Sequence, residues 1–122
     1  MAKSVLVVDD SASVRQVVGI ALKSAGYDVI EASDGKDALG KLNGQKVHLI
    51  ISDVNMPNMD GITFVKEVKK LASYKFTPII MLTTESQESK KAEGQAAGAK
   101  AWVVKPFQPA QMLAAVSKLI LP

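Results

Sequence analysis

"HLIISDVNMPNMDG", residues 48–61, runs from an apolar stretch directly into Asp53 and then turns through Pro57, Asp60 and Gly61. A strand with one wet face alternates apolar and polar residues. A strand covered on both faces reads as a continuous Val/Ile/Leu run. The stretch belongs to the second kind, and an acid closing such a strand implies a chemical group held out at the edge of a sheet.

Four more runs frame it. "SVLVV" (4–8), "PIIML" (78–82) and "AWVV" (101–104) are apolar throughout, like "VHLIIS" (47–52), whereas "DVIEA" (28–32) is more polar and suits an edge position. Helical spacing fills the intervals. Val14, Val17, Val18, Ala21, Leu22 and Ala25 predict a first helix that Gly26 stops. Ala38 and Leu42 mark a short second helix ending near Gly44, and Ile62, Val65, Val68 and Ala72 form one face of a third. The fifth opens on Pro109, where a missing N–H does no harm, and is expected to bury Met112, Leu113, Val116 and Ile120. The fourth, "ESQESKKAEGQAAG" (85–98), has only Ala92, Ala96 and Ala97 as an apolar face, interrupted by Gly94. Small side chains bury little area, so this helix is expected to be held weakly. Strands alternating with helices, joined by right-handed crossovers, give a doubly wound α/β sheet.

At 122 residues the chain has the size of one domain, with nearly half its residues hydrophobic. It has no cysteine, which excludes disulfides, thiol catalysis and cysteine-ligated zinc. No apolar run approaches the ~18 residues of a membrane span, and "MAKSVLVVDD" (1–10) lacks the features of a signal peptide. A cytoplasmic protein without membrane insertion is expected. Net charge is +3, but the lysines are scattered without interleaved aromatics, so a solvated surface is expected rather than a nucleic-acid interface.

The residues after each apolar run carry the chemistry. Strand 1 is followed by Asp9 and Asp10, strand 3 by Asp53, strand 4 by Thr83 and Thr84, and strand 5 by Lys105. Singly, each has an ordinary explanation as a helix cap or a solvated residue. In a parallel sheet all four ends share one edge, where ligands of such folds bind. Clustered carboxylates repel one another unless a cation intervenes, and a hard divalent ion with oxygen ligands, Mg2+ first, fits them. Lys105 adds a phosphate contact. The site therefore suits a phosphoryl group, with an aspartate as nucleophile forming an aspartyl phosphate. Asp9 and Asp10 are adjacent and suit metal capture; Asp53 stands alone on its strand and is assigned as nucleophile.

"VVDDS", "SDVNMPNMDG", "MLTTE" and "GAKAWVVKPF", in that order, resemble the receiver domains of two-component response regulators, most nearly the stand-alone chemotaxis type. The resemblance covers nearly the whole chain, and it implies a flavodoxin-like (βα)5 fold with a five-stranded parallel sheet in order 2-1-3-4-5. It implies that Asp53 is the phosphoacceptor. Asp9, Asp10, Asp53 and the backbone carbonyl of Asn55 would hold Mg2+, Thr83 would close on the phosphoryl oxygens, and Lys105 would be the family's lysine, followed by a cis bond to Pro106. Asn55 and Glu85 fall at positions that tune phosphate lifetime, and an amide with an acid there implies rapid self-dephosphorylation. Trp102 departs from the Tyr or Phe usual at its position. Either it swings inward as that residue does, or its ring is a fixed anchor, or it is a partly buried aromatic with no switching role.

The expected function is a signalling switch in a single domain, 1–122, that takes phosphate from a histidine kinase. It catalyses its own phosphorylation and dephosphorylation, and it signals by binding an effector. No output domain is expected, so the effector is a motor switch component or another pathway protein in chemotaxis, and the switch acts as a monomer. A phosphate sink without an effector is the alternative within the family. A Mg2+-dependent phosphohydrolase with an Asp nucleophile is the rival outside it. That rival needs a second Asp two residues after the first, yet Asp53 is followed by Val54 and Asn55. Neither a Walker nor a dinucleotide-binding glycine loop is present. His48 is expected to pack within strand 3 rather than to act as ligand or relay, and Met56 and Met59 to pack the loop.

Overall fold

A computed structural model describes residues 3–56, 58–83, 91–105 and 108–120. Strands β1 (Ser4–Val8), β2 (Asp28–Ala32), β3 (Leu49–Asp53), β4 (Ile79–Thr83) and β5 (Ala101–Val104) alternate with helices α1 (Ala12–Ser24), α2 (Gly35–Lys41), α3 (Gly61–Lys69), α4 (Lys91–Ala97) and α5 (Pro109–Leu119). Every strand pair is parallel, and the order is β2-β1-β3-β4-β5. This is the flavodoxin-like doubly wound fold, and the polar second run lies at an edge.

Because side chains alternate across a strand, each buried strand feeds two cores. Val5, Val7, Leu49, Ile51, Ile80 and Leu82 meet Val18 and Leu22 of α1 and Met112 and Val116 of α5. Leu6, Val8, Ile50, Ile79 and Met81 meet Ala38 of α2 and Phe64, Val65 and Val68 of α3 on the other face. Phe64 is fully buried, so its truncation to Ala would cost about 3–5 kcal/mol.

Some boundaries and faces differ from expectation. β3 begins at Leu49, later than Val47, and takes in Asp53, which pairs with Leu82. β4 runs from Ile79 to Thr83, since Pro78 has no N–H for the ladder and only accepts, from Ile50 N. Val17 is 51% exposed, because the stripe of α1 that meets the sheet is Val14, Val18, Ala21 and Leu22, and Val17 lies beyond its edge. Ala25 is exposed as the C-cap, just before Gly26 at φ +92°. Ala72 lies past the end of α3 and is exposed; Tyr74, two residues on, is buried instead. In α4, Ala92 and Ala96 are exposed, Ala97 is half-buried, and the buried position is Gly94. Residues 85–90 of the expected fourth helix lie outside the described residues. His48 precedes β3, and its Nδ1 accepts from Ser4 N at 3.0 Å, a lateral packing role. Met56 and Met59 are half-buried against the core, as loop packing requires.

Candidate functional site

The carboxyl ends of β1, β3, β4 and β5 converge. Asp9 follows β1 directly and has no solvent exposure. Its Oδ1 accepts from Ser11 N at 2.9 Å, and its Oδ2 lies 3.1 Å from Lys105 Nζ. Asp9 is therefore not a helix cap; Ser11 caps α1, accepting from Val14 N at 3.3 Å. Asp10 is exposed. Asp53 closes β3 at 6% exposure, with Oδ1 also 3.1 Å from Lys105 Nζ. One ammonium thus bridges two nearly buried carboxylates.

Carboxylate oxygens of Asp9, Asp10 and Asp53 all lie within 4.8 Å of one another. Three carboxylates and one ammonium leave a local charge of −3 + 1 = −2, which an oxygen-loving divalent cation would balance. The donor set is all oxygen, with one member open to water, and this fits such an ion. Burial, followed by the charge of Asp9, pushes the Asp53 carboxyl above its ordinary value, against the opposing pull of Lys105. Burial works against the Lys105 charge, but Asp53 and Asp9 outweigh it and hold its proton more firmly than usual.

Thr83 ends β4 at 4% exposure and pairs in register with Val104. Its carbonyl accepts from Lys105 N at 2.6 Å, so the hydroxyl-bearing and ammonium-bearing residues are tied through their backbones. Asn55, two residues beyond β3, is exposed. Trp102 lies in β5, half-buried, in register with Met81. Glu85, Thr84, Pro57 and Pro106 lie outside the described residues.

Three supports were not anticipated. Gly61 opens α3 directly against the back of the site: a Cβ there would fall 2.1 Å from the Asp53 carbonyl oxygen. Its N–H donates to Val54 O at 2.7 Å. Arg15 Nη1 donates to the Asp9 carbonyl, and its Nε meets Glu31 at 3.3 Å. The sequence does hold a signal here: Arg15 is the lone arginine, placed one turn into the helix that follows the two aspartates. Asn58, at φ 68°, donates to Asp34 at 2.9 Å and so ties the β3–α3 loop to the N-cap of α2. The Asp37 N–H, then Asn58, hold the Asp34 carboxyl below its usual value.

The family model for the response regulator receiver domain matches residues 5–117. The alkaline phosphatase synthesis transcriptional regulatory protein PhoP of Bacillus subtilis is 39% identical over 98% of this chain and 49% of its own length. The chain thus spans about half the length of that curated relative. Chemotaxis response regulator CheY4 of Vibrio cholerae is 50% identical, with TM-score 0.92 over 98% of this chain and 99% of that one. The receiver domain of a sensor histidine kinase from Pseudomonas aeruginosa PAO1, solved with a magnesium ion in its active site cleft, is 25% identical with TM-score 0.89, each covering 98% of the other. Among the described residues no helix is long and apolar enough to cross a membrane.

Proposed function

Since this chain belongs to the response regulator receiver domain family, we propose that Asp53 accepts a phosphoryl group from the phosphohistidine of a histidine kinase and that the modified domain then binds an effector. One observation carries the reading. A nearly buried carboxylate shares an ammonium with a second buried carboxylate at 3.1 Å on each side. Such a carboxylate is poorly solvated, and Lys105 keeps it oriented.

In the transfer an Asp53 oxygen forms a bond to phosphorus while the P–N bond of phosphohistidine breaks. The electron pair leaves on the imidazole nitrogen, which takes up a proton. Lys105 stands where it can follow the phosphoryl oxygens and neutralise their charge, leaving Asp9. The Thr83 hydroxyl is proposed to close on the same oxygens. Asp9, Asp10, Asp53 and the Asn55 carbonyl would hold Mg2+, which supplies charge neutralisation at the transferring oxygens. Asn55 and Glu85 are assigned to phosphate lifetime, with self-dephosphorylation as the return step.

The similarity to a chemotaxis regulator supports chemotaxis as the pathway and a motor switch or pathway protein as effector. The domain is taken to act as a cytoplasmic monomer. The test is labelling from a phosphorylated histidine kinase or from acetyl phosphate. Labelling is expected to need Mg2+ and to disappear in Asp53→Asn. Label persisting in that variant would overturn the assignment.

A further inference from the structure

α4 meets the sheet through a glycine. Along Lys91–Ala97, Ala92, Glu93, Gln95 and Ala96 are exposed and Gly94 is buried. A Cβ on Gly94 would stand 2.2 Å from Cη2 and 2.5 Å from Cζ2 of Trp102. The six-membered ring of the indole therefore rests against the α4 backbone, in the space any other residue would fill with its side chain. The Gly94 carbonyl also accepts from Gly98 N at 3.1 Å and Ala99 N at 3.0 Å, the amides that turn the chain from α4 toward β5. Ring and turn meet at one residue. The indole Nε1 is buried and has no hydrogen-bond partner among the described residues, so packing against Gly94 holds the ring. Trp102 pairs with Met81, and Thr83 lies two positions further along β4, so all three side chains leave the same face of the sheet.

We infer that Gly94 is the positioning residue of Trp102. Its missing side chain seats the indole between α4 and β5, and the seated ring fastens α4 to the sheet, so that a change at Thr83 reaches α4 through this contact. The link to phosphorylation rests on the receiver reading; the seat rests on geometry alone. Gly94 and Trp102 form a matched pair, since a phenyl or phenol ring lacks the second ring that fills the space over the glycine.

Helix propensity and the seat give opposite signs, which makes the inference decidable. In a helix held by its own backbone, Gly94→Ala strengthens α4 and slows amide exchange at Gly98 and Ala99. With the indole seated, the new Cβ collides with the ring, and these amides exchange faster, by about tenfold. The double variant Gly94→Ala/Trp102→Phe removes the collision and returns their protection. Trp102 is the chain's one tryptophan, so its emission reports the ring alone: Gly94→Ala shifts it to the red and raises acrylamide quenching about twofold. Slower exchange with unchanged emission would overturn the seat. If Gly94→Ala fails to fold, folding of the double variant supports the seat and its failure overturns it. Acetyl phosphate with Mg2+ is expected to change Trp102 emission in the wild type and not in Gly94→Ala. Asp53 labelling without that change would overturn the link to Thr83. Absent labelling would overturn the phosphorylation reading itself, while the exchange result still decides the seat.

Discussion

Gly61→Ala is the sharpest test of how the site is built. The added Cβ would lie 2.1 Å from the Asp53 carbonyl oxygen and 2.9 Å from Val54 Cα, where ordinary contact begins at 3.4 Å. Met81 Cε, at 2.8 Å, is the end of a flexible side chain and can move aside. The other two atoms are backbone, joined to the buried strand that carries Asp53, and no rotamer relieves them. Overpacking of this kind costs up to about 3 kcal/mol, and the better helix preference of Ala returns at most about 1. The net loss is about 2 kcal/mol, which lowers the urea midpoint by about 1 M for a domain of this size. Gly40→Ala in α2 is the control: nothing lies within 4 Å of its added Cβ, so it stabilises by about 0.5–1 kcal/mol. Equilibrium urea unfolding of both variants reads the two signs. Because relief of the clash must move the Asp53 backbone, Gly61→Ala also slows labelling from acetyl phosphate, and Gly40→Ala leaves it unchanged. Equal midpoints for the two variants would refute the close approach.

Two further outcomes follow from the same geometry. The folded-state pKa of Asp53 is raised, so ionising it costs the folded state stability; the cost is absent below the unfolded carboxyl pKa and complete above the folded one. Asp53→Asn should therefore be more stable than wild type at pH 7 without added metal. The gap should narrow as pH falls through the raised pKa, and thermal melts from pH 7 down to about 4 measure it. Tyr74 Oη donates to Gln45 O at 2.7 Å and accepts from Gly44 N at 3.0 Å, far from the aspartates. Tyr74→Phe leaves both backbone groups without that partner and should cost about 1–2 kcal/mol in urea unfolding, with Asp53 labelling unchanged.

Element type and the placement of the site were legible in the chain. Continuous Val/Ile/Leu runs mark doubly covered strands because hydrophobic burial is encoded residue by residue, and Asp9, Asp53, Thr83 and Lys105 each stand at or just after the end of such a run. Strand order followed from the family resemblance and not from periodicity, since no local pattern states which strands are neighbours.

Tertiary structure decided the rest. Val17 looks like core by spacing and is exposed, because the width of a buried stripe depends on how the helix lies on the sheet. Gly94 reads as a flaw in α4, and Gly61 as an ordinary turn residue, until Trp102 and the Asp53 carbonyl are seen against them. The bridge from Lys105 to Asp9 spans 96 positions. Propensity and periodicity act over a few residues, whereas these contacts exist only once the sheet order has brought distant segments to van der Waals range.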